Sequence, residues 1–235
     1  MNSPKRLART AGVFYLVVAI LGGFAQIVRV KVYVPGDAAT TVEHVVANAS
    51  LVRMSFVADL VQATFFLFVV MALYRLLRHV NRSVAQAMVI FVVVSVGITC
   101  LNMVHQLGAL LVATDASYTG AFGTGGSAGL VLLLLELQRS GYLVAQIFFG
   151  LWLFPLGLLA YRSGMFPRPL GIVLMLATLS YLVDVVLQFL APGLAGAINP
   201  FVVVLVTLSE ISMLAYLLIK GVREPLPSDR VPVTT

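Results

Sequence analysis

The apolar positions of this chain neither alternate nor keep to one face of a helix. They run on in six stretches, at 11–28, 51–77, 84–112, 141–161, 169–190 and 200–219. Crossing a hydrocarbon layer takes about 20 apolar residues in a helix, and no stretch shows the alternation of a membrane barrel strand. The pattern predicts an all-α integral membrane bundle of six transmembrane helices. The joins "RHVNRS" and "RSGMFPRP" are short, as tight helical hairpins require. Two other connections are longer. In the first, "VPGDA" (34–38) predicts a turn. "TTVEHVVANAS" (40–50) then sets Val42, Val45 and Val46 at helical spacing. This predicts one short amphipathic helix on the outer interface, with His44 solvated. In the second, the glycines of "TDASYTGAFGTGGSAG" (114–129) predict a flexible loop, since no Gly-Lys-Ser/Thr follows to make a phosphate loop. "LVLLLLELQ" (130–138) is too short to span alone. It is either a separate interfacial or re-entrant helix or an extension of the fourth span.

Composition agrees with lipid as part of the solvent. Of 235 residues, 60% are hydrophobic and 10% charged, against roughly 25% charged in soluble domains. The net charge of +6 does not form a nucleic-acid patch, because the basic residues fall in short clusters between apolar runs. Their distribution predicts topology instead. With the N-terminus inside, eleven of the fifteen Lys and Arg are cytoplasmic; Arg29, Lys31, Arg53 and Arg139 lie outside. The positive-inside rule then places both termini in the cytoplasm and the chain in the plasma membrane. The first apolar run is long for a signal peptide and lacks a clear small-x-small cleavage site, so it is predicted to be a retained helix. Residues 1–223 form a single transmembrane domain on this reading, and 224–235 a flexible cytoplasmic tail. Cys100 is the sole cysteine, which excludes an internal disulfide framework.

Polar residues inside the spans are the candidate chemistry. Ser55, Asp59 and Gln62 share one helix face, being four and three residues apart. Ser95, Thr99, Asn102 and Gln106 make a stripe in the third span with His105 beside it; Ser180, Tyr181, Asp184 and Gln188 make another in the fifth. Gln146 lies in the fourth span, and Thr207, Ser209 and Glu210 in the sixth. At about 1.5 Å per residue, Asp59, His105, Gln146 and Asp184 fall roughly 8–12 Å below the outer ends of their helices. A carboxylate facing lipid at the membrane centre costs about 3 kcal/mol or more. Asp59 and Asp184 are therefore predicted to face the bundle interior, partnered by the amides and His105 or hydrated from outside.

Three functional classes fit this layer. In the first, Asp59, Gln62, Asn102, His105, Gln106, Gln146, Asp184 and Gln188 line an outward-opening pocket that binds or transports a small molecule, ion or proton. In the second, His105 and the two aspartates serve a metal-dependent or acid/base hydrolase acting on a lipid-like substrate. In the third, the chain is a noncatalytic membrane partner or regulatory subunit and the polar groups only join helices, at about 0.6–2 kcal/mol per contact. No cofactor is called for. The three histidines include no HExxH, and the lysines (Lys5, Lys31, Lys220) all flank spans. The partners implied are the lipid bilayer and a small ligand or ion, with no nucleic acid; nothing in the pattern speaks to oligomeric state.

Four segments resemble a bacterial membrane-protein family catalogued as domain of unknown function 4386: "RTAGVFYLVVAILGGFA", "RMSFVADLVQA", "ALYRLLRHVNRSVA" and "LFPLGLLAYRSGMFPRPLGIVLMLATLSYLVD". They lie in the same order over about residues 6–220. The turn "YRSG" followed by "PRPLG" is the most specific of them. The resemblance implies a multi-pass membrane protein and transfers no activity.

Overall fold

The computed structural model describes residues 3–223, and every regular element among them is helical. The order is α1 (Pro4–Val32), α2 (Ala38–Ala47), α3 (Ala49–Leu77), α4 (Arg82–Thr114), α5 (Ala116–Leu151), α6 (Leu153–Ser163), α7 (Arg168–Leu190) and α8 (Pro192–Ile219). Six helical stretches among the described residues are long and apolar enough to cross a membrane: α1, α3, α4, α5 with α6, α7 and α8. The chain is a multi-pass membrane protein. Burial is inverted relative to a soluble domain, where charged groups are the ones left outside. Leu101, Leu190 and Phe201 are at least 75% exposed, while Asp59 and Asp184 are 3% and 2% exposed. The tail predicted for 224–235 lies outside the described residues.

The residues fall into two compact units. One comprises 3–15, 68–92 and 149–223 of the described chain. Its core includes Trp152, Phe166, Leu73, Met88, Leu174 and Met213, all nearly or fully sealed from solvent. Here α6 and α7 cross at two glycines. A Cβ on Gly157 would stand 2.6 Å from the Gly171 carbonyl oxygen, and one on Gly171 would stand 2.6 Å from that of Gly157. Small residues let membrane helices approach in this way. The "YRSGMFPRP" join follows local rules. Gly164 closes α6 with φ +66°, a left-handed cap that glycine accepts without strain. Pro167 holds an extended N-cap, and a second proline (Pro169) sits in the first turn of α7. The Met165 carbonyl accepts from the Arg223 N–H (3.0 Å) and the Tyr216 hydroxyl (3.3 Å), tying this turn to the end of α8. Pro155 accounts for the break between α5 and α6. It lacks the N–H that would bond the Leu151 carbonyl, and the helix is interrupted at Trp152, between α5 and α6.

The other unit comprises 16–67 and 93–148. Val28, Val32, Val45, Val52, Ala109 and Val131 belong to its core. The short helix predicted between the first two spans is present as α2. Asp37 caps it by accepting from the Thr40 N–H at 3.0 Å and the Thr40 hydroxyl at 2.7 Å. Of the three valines, only Val45 is fully buried; Val46 is 48% exposed. Thr41, also buried, donates to the Val34 carbonyl and accepts from its N–H, which fastens the preceding turn. His44 is not solvated as predicted: it is half-buried, and its Nδ1 is sealed without a hydrogen-bond partner.

Two boundaries differ from the sequence reading, and a third, left open there between two alternatives, is decided by the structure. The glycine-rich segment is not a loop, since α5 starts at Ala116 and passes through it with one break at Gly123 (φ 70°, ψ 166°). The Ser127 hydroxyl donates to the Gly123 carbonyl at 2.6 Å across the break, and Tyr118 and Leu130 pack on the valine core. Tertiary packing there overrides the poor helix propensity of glycine. Residues 130–138 are continuous with the fourth span. Finally, α8 begins at Pro192 and carries Pro200 internally rather than starting there.

Candidate functional site

In the second unit α1 runs four residues past its predicted end, and this changes the setting of Asp59. Arg29, assigned by sequence to an outside segment, lies on the last turn of α1. Its Nη1 donates to Asp59 Oδ2 at 2.5 Å. The Arg29 side chain is 15% exposed and that of Asp59 3%. The Nε of Arg29 donates to Gln26 Oε1 at 3.1 Å, and the guanidinium lies 5.4 Å from the centroid of the Tyr142 ring on α5. Three helices thus hold one ion pair. The partner predicted for Asp59 was an amide or His105; the structure supplies a cation instead.

The third-span stripe forms a second cluster in the same unit. Asn102 Nδ2 donates to the Gln138 carbonyl on α5 at 2.6 Å. That fixes the amide orientation, leaving Oδ1 toward His105. His105 Nδ1 lies 3.1 Å from the Asn102 carbonyl and 3.2 Å from its Oδ1. Both neighbours are oxygens that can only accept, so Nδ1 carries a hydrogen. Asn102 fits because residue 141 is glycine: a Cβ there would collide with the Asn102 carboxamide. Further along α4, Gln106 Nε2 donates to Ser55 Oγ at 2.9 Å, and the Ser55 hydroxyl donates to the Val52 carbonyl. Gln62 packs against Gly22 of α1, where a Cβ would stand 3.2 Å from its carboxamide carbon. Gln146 is half-buried on α5.

Asp184 and Gln188 belong to the first unit. Asp184 is buried, and Asn199 Nδ2 lies 3.1 and 3.2 Å from its two oxygens. The same unit holds a cluster that sequence reasoning missed. Tyr15 on α1 and Tyr181 on α7 donate to the two oxygens of Glu210 on α8, at 2.7 and 3.2 Å. The edge of Trp152 packs on Tyr15, with ring centroids 6.0 Å apart. A tyrosine in mid-span was the available signal, since its hydroxyl needs a partner when buried.

Among the described residues, no three His, Cys, Asp or Glu side chains stand close enough to share a metal ion. What the arrangement does offer is charge and directed hydrogen bonding within apolar helices: a half-buried guanidinium on a buried carboxylate, a histidine facing two acceptors, and a carboxylate held by two phenols.

Residues 10–221 match the family described as Domain of unknown function (DUF4386), and the chain belongs to that family. It is also similar to an uncharacterized protein of Archaeoglobus fulgidus, with 32% identity over 123 residues, 52% of this chain and 59% of that protein. The chain therefore spans somewhat over half the length of the curated relative it matches. No solved structure matches it significantly.

Proposed function

We propose that this family member works in the plasma membrane as one six-helix domain over residues 1–223, with both termini cytoplasmic. We further propose that it binds or carries a small ligand, ion or proton at a polar centre built on Arg29 and Asp59. The ion pair between half-buried Arg29 and buried Asp59 carries this reading. Two charges held among apolar helices are expensive to desolvate, and well-packed apolar residues usually serve stability as well or better. Ionisable residues within membrane spans mark ligand, ion or proton sites by default. An anion would compete for Arg29; a cation or proton would compete for Asp59 and release the guanidinium. Gln62, Asn102, His105, Gln106 and Gln146 are the proposed hydrogen-bonding side chains of this unit. Asp184 and Gln188 form a proposed polar position of their own unit.

The test is Asp59→Asn, which keeps the shape and hydrogen bonding of the side chain and deletes its charge. The variant should insert and purify as folded protein. Small molecules that copurify with the wild type, read by mass spectrometry, should be lost, or proton flux in proteoliposomes should fall. If Asp59 only joins helices, Asp59→Asn will change neither readout and Asp59→Leu will mainly lower thermal stability. That result would end the proposal.

A further inference from the structure

A groove of about 140 Å³ runs between α3 and α4, and its chemistry is uneven. The walls are apolar, from Val52, Phe56 and Val57 on α3 and Leu107 and Leu110 on α4. Val57 is 57% and Leu107 38% exposed, so the groove faces the surroundings, which for these helices are lipid. Arg53 lies at one end, four residues into α3, where a long cationic side chain reaches the headgroup level. Gln106 lines the same groove. It is 3% exposed, and its Oε1 has no hydrogen-bond partner.

The Ser55 hydroxyl spends its hydrogen on the Val52 carbonyl, so its oxygen can only accept, and Gln106 must offer it Nε2. Oε1 is then left with no donor in the protein, and a buried acceptor without a partner is destabilising. The last torsion of a glutamine is broad, so a small rotation presents Oε1 to an occupant. That occupant must bring a hydrogen-bond donor.

The geometry points to a monoacyl glycerophospholipid in this groove. Its phosphate meets Arg53. The free hydroxyl on the neighbouring glycerol carbon donates to Gln106 Oε1, and the single acyl chain lies along Phe56, Val57 and Leu107. At about 140 Å³ the groove seats the glycerol and the first few methylenes of one chain, and the rest of the chain lies in the bilayer. A diacyl lipid has no free hydroxyl on its glycerol backbone. The groove shares Gln106 with the polar side chains proposed above but includes neither Arg29 nor Asp59, so Asp59→Asn should leave this binding intact.

The experiment is native mass spectrometry of the purified full chain with 1-palmitoyl-lysophosphatidylcholine, whose headgroup has no hydrogen-bond donor of its own. The comparison probes are its 2-deoxy analogue, dipalmitoyl phosphatidylcholine and N-palmitoylglycine. The hydroxylated lysolipid should bind about tenfold more tightly than the 2-deoxy analogue, and Gln106→Leu should abolish that difference. Arg53→Gln should weaken both lysolipids by a similar factor. Val57→Trp, at an exposed position that folding tolerates, should block the groove for all probes. Equal binding of the hydroxylated and 2-deoxy lysolipids by the wild type would overturn the proposal, even if Gln106→Leu failed to fold. So would undiminished binding to Val57→Trp. Binding of the diacyl lipid or of N-palmitoylglycine as tight as that of the lysolipid would overturn the assigned occupant.

Discussion

Substituting Gly141 by alanine places a methyl group where the Asn102 carboxamide now lies. The three atoms nearest that methyl are Oδ1, Cγ and Nδ2 of Asn102, all beyond its Cβ, and none belongs to the backbone. The carboxamide must swing away. It would lose its bond to the Gln138 carbonyl and its Oδ1 contact with His105. A side-chain hydrogen bond between membrane helices averages about 0.6 kcal/mol and reaches about 1.7. Overpacking adds about 1–3 kcal/mol, and the better helix propensity of alanine returns up to about 1 kcal/mol. Gly141→Ala should therefore destabilise by about 1–3 kcal/mol. Asn102→Ala loses the hydrogen bond and leaves a gap, costing about 1–2 kcal/mol. In the double variant the new methyl enters space that Asn102 has vacated, so the total should be close to that of Asn102→Ala alone. The coupling is then about 1–3 kcal/mol, well above the roughly 0.3–0.5 kcal/mol scatter of independent sites. Reversible unfolding of the four proteins in mixed micelles measures it. Additive losses would refute the reasoning, because they would mean that Asn102 does not occupy the space left by the missing Cβ.

Two further outcomes are expected. In a Cys100→Ser background, cysteines at Arg78 and Arg168 should be shielded from an impermeant outside thiol reagent while cysteines at Asp37 and Gly125 react; labelling of position 78 would reject the proposed orientation. The second concerns acid. The Thr40 N–H, and then its hydroxyl, hold the Asp37 carboxyl below the usual carboxylate range, and the Ser117 N–H does the same for Asp115. A depressed folded-state pKa contributes stability that is present above the ordinary Asp value of about 3.9 and is lost as pH falls through the lower folded value. Hydrogen exchange in the first turn of α2, compared with the core of α3 after correction for intrinsic rates, should thus lose protection selectively below about pH 4. Asp37→Ala should remove that pH dependence, and an unchanged acid profile in that variant would count against the cap.

Arg29 shows where one-dimensional reading stopped. By residue count it follows the first apolar run and scores as a basic residue of a connecting segment. In the fold α1 continues to Val32, because Val28 and Val32 have the valine core to bury into. Arg29 stays helical and turns to Asp59. The glycine-rich segment erred for the same reason. Its composition favours a loop, but Tyr118, Leu130 and Val131 find partners in that core, and the break is confined to Gly123. Gly141 carried no sequence signal at all, since its role depends on a side chain 39 positions earlier.

The sequence by itself determined the solvent, the number of spans and the hairpin chemistry. Six apolar runs, a 10% charge content and the Gly-Pro punctuation at 164–169 act locally or through composition. They read the same way before folding as after it. Facing was legible too: Asp59 and Asp184 were predicted to turn inward, and both are buried. The partners of these groups belonged to the tertiary structure alone. Arg29 with Asp59, Asn199 with Asp184, and Tyr15 and Tyr181 with Glu210 are pairings between helices. Nothing in the spacing along one helix sets its rotation against another. That rotation is decided by side-chain volume at the crossings, and above all by the glycines that let two backbones touch.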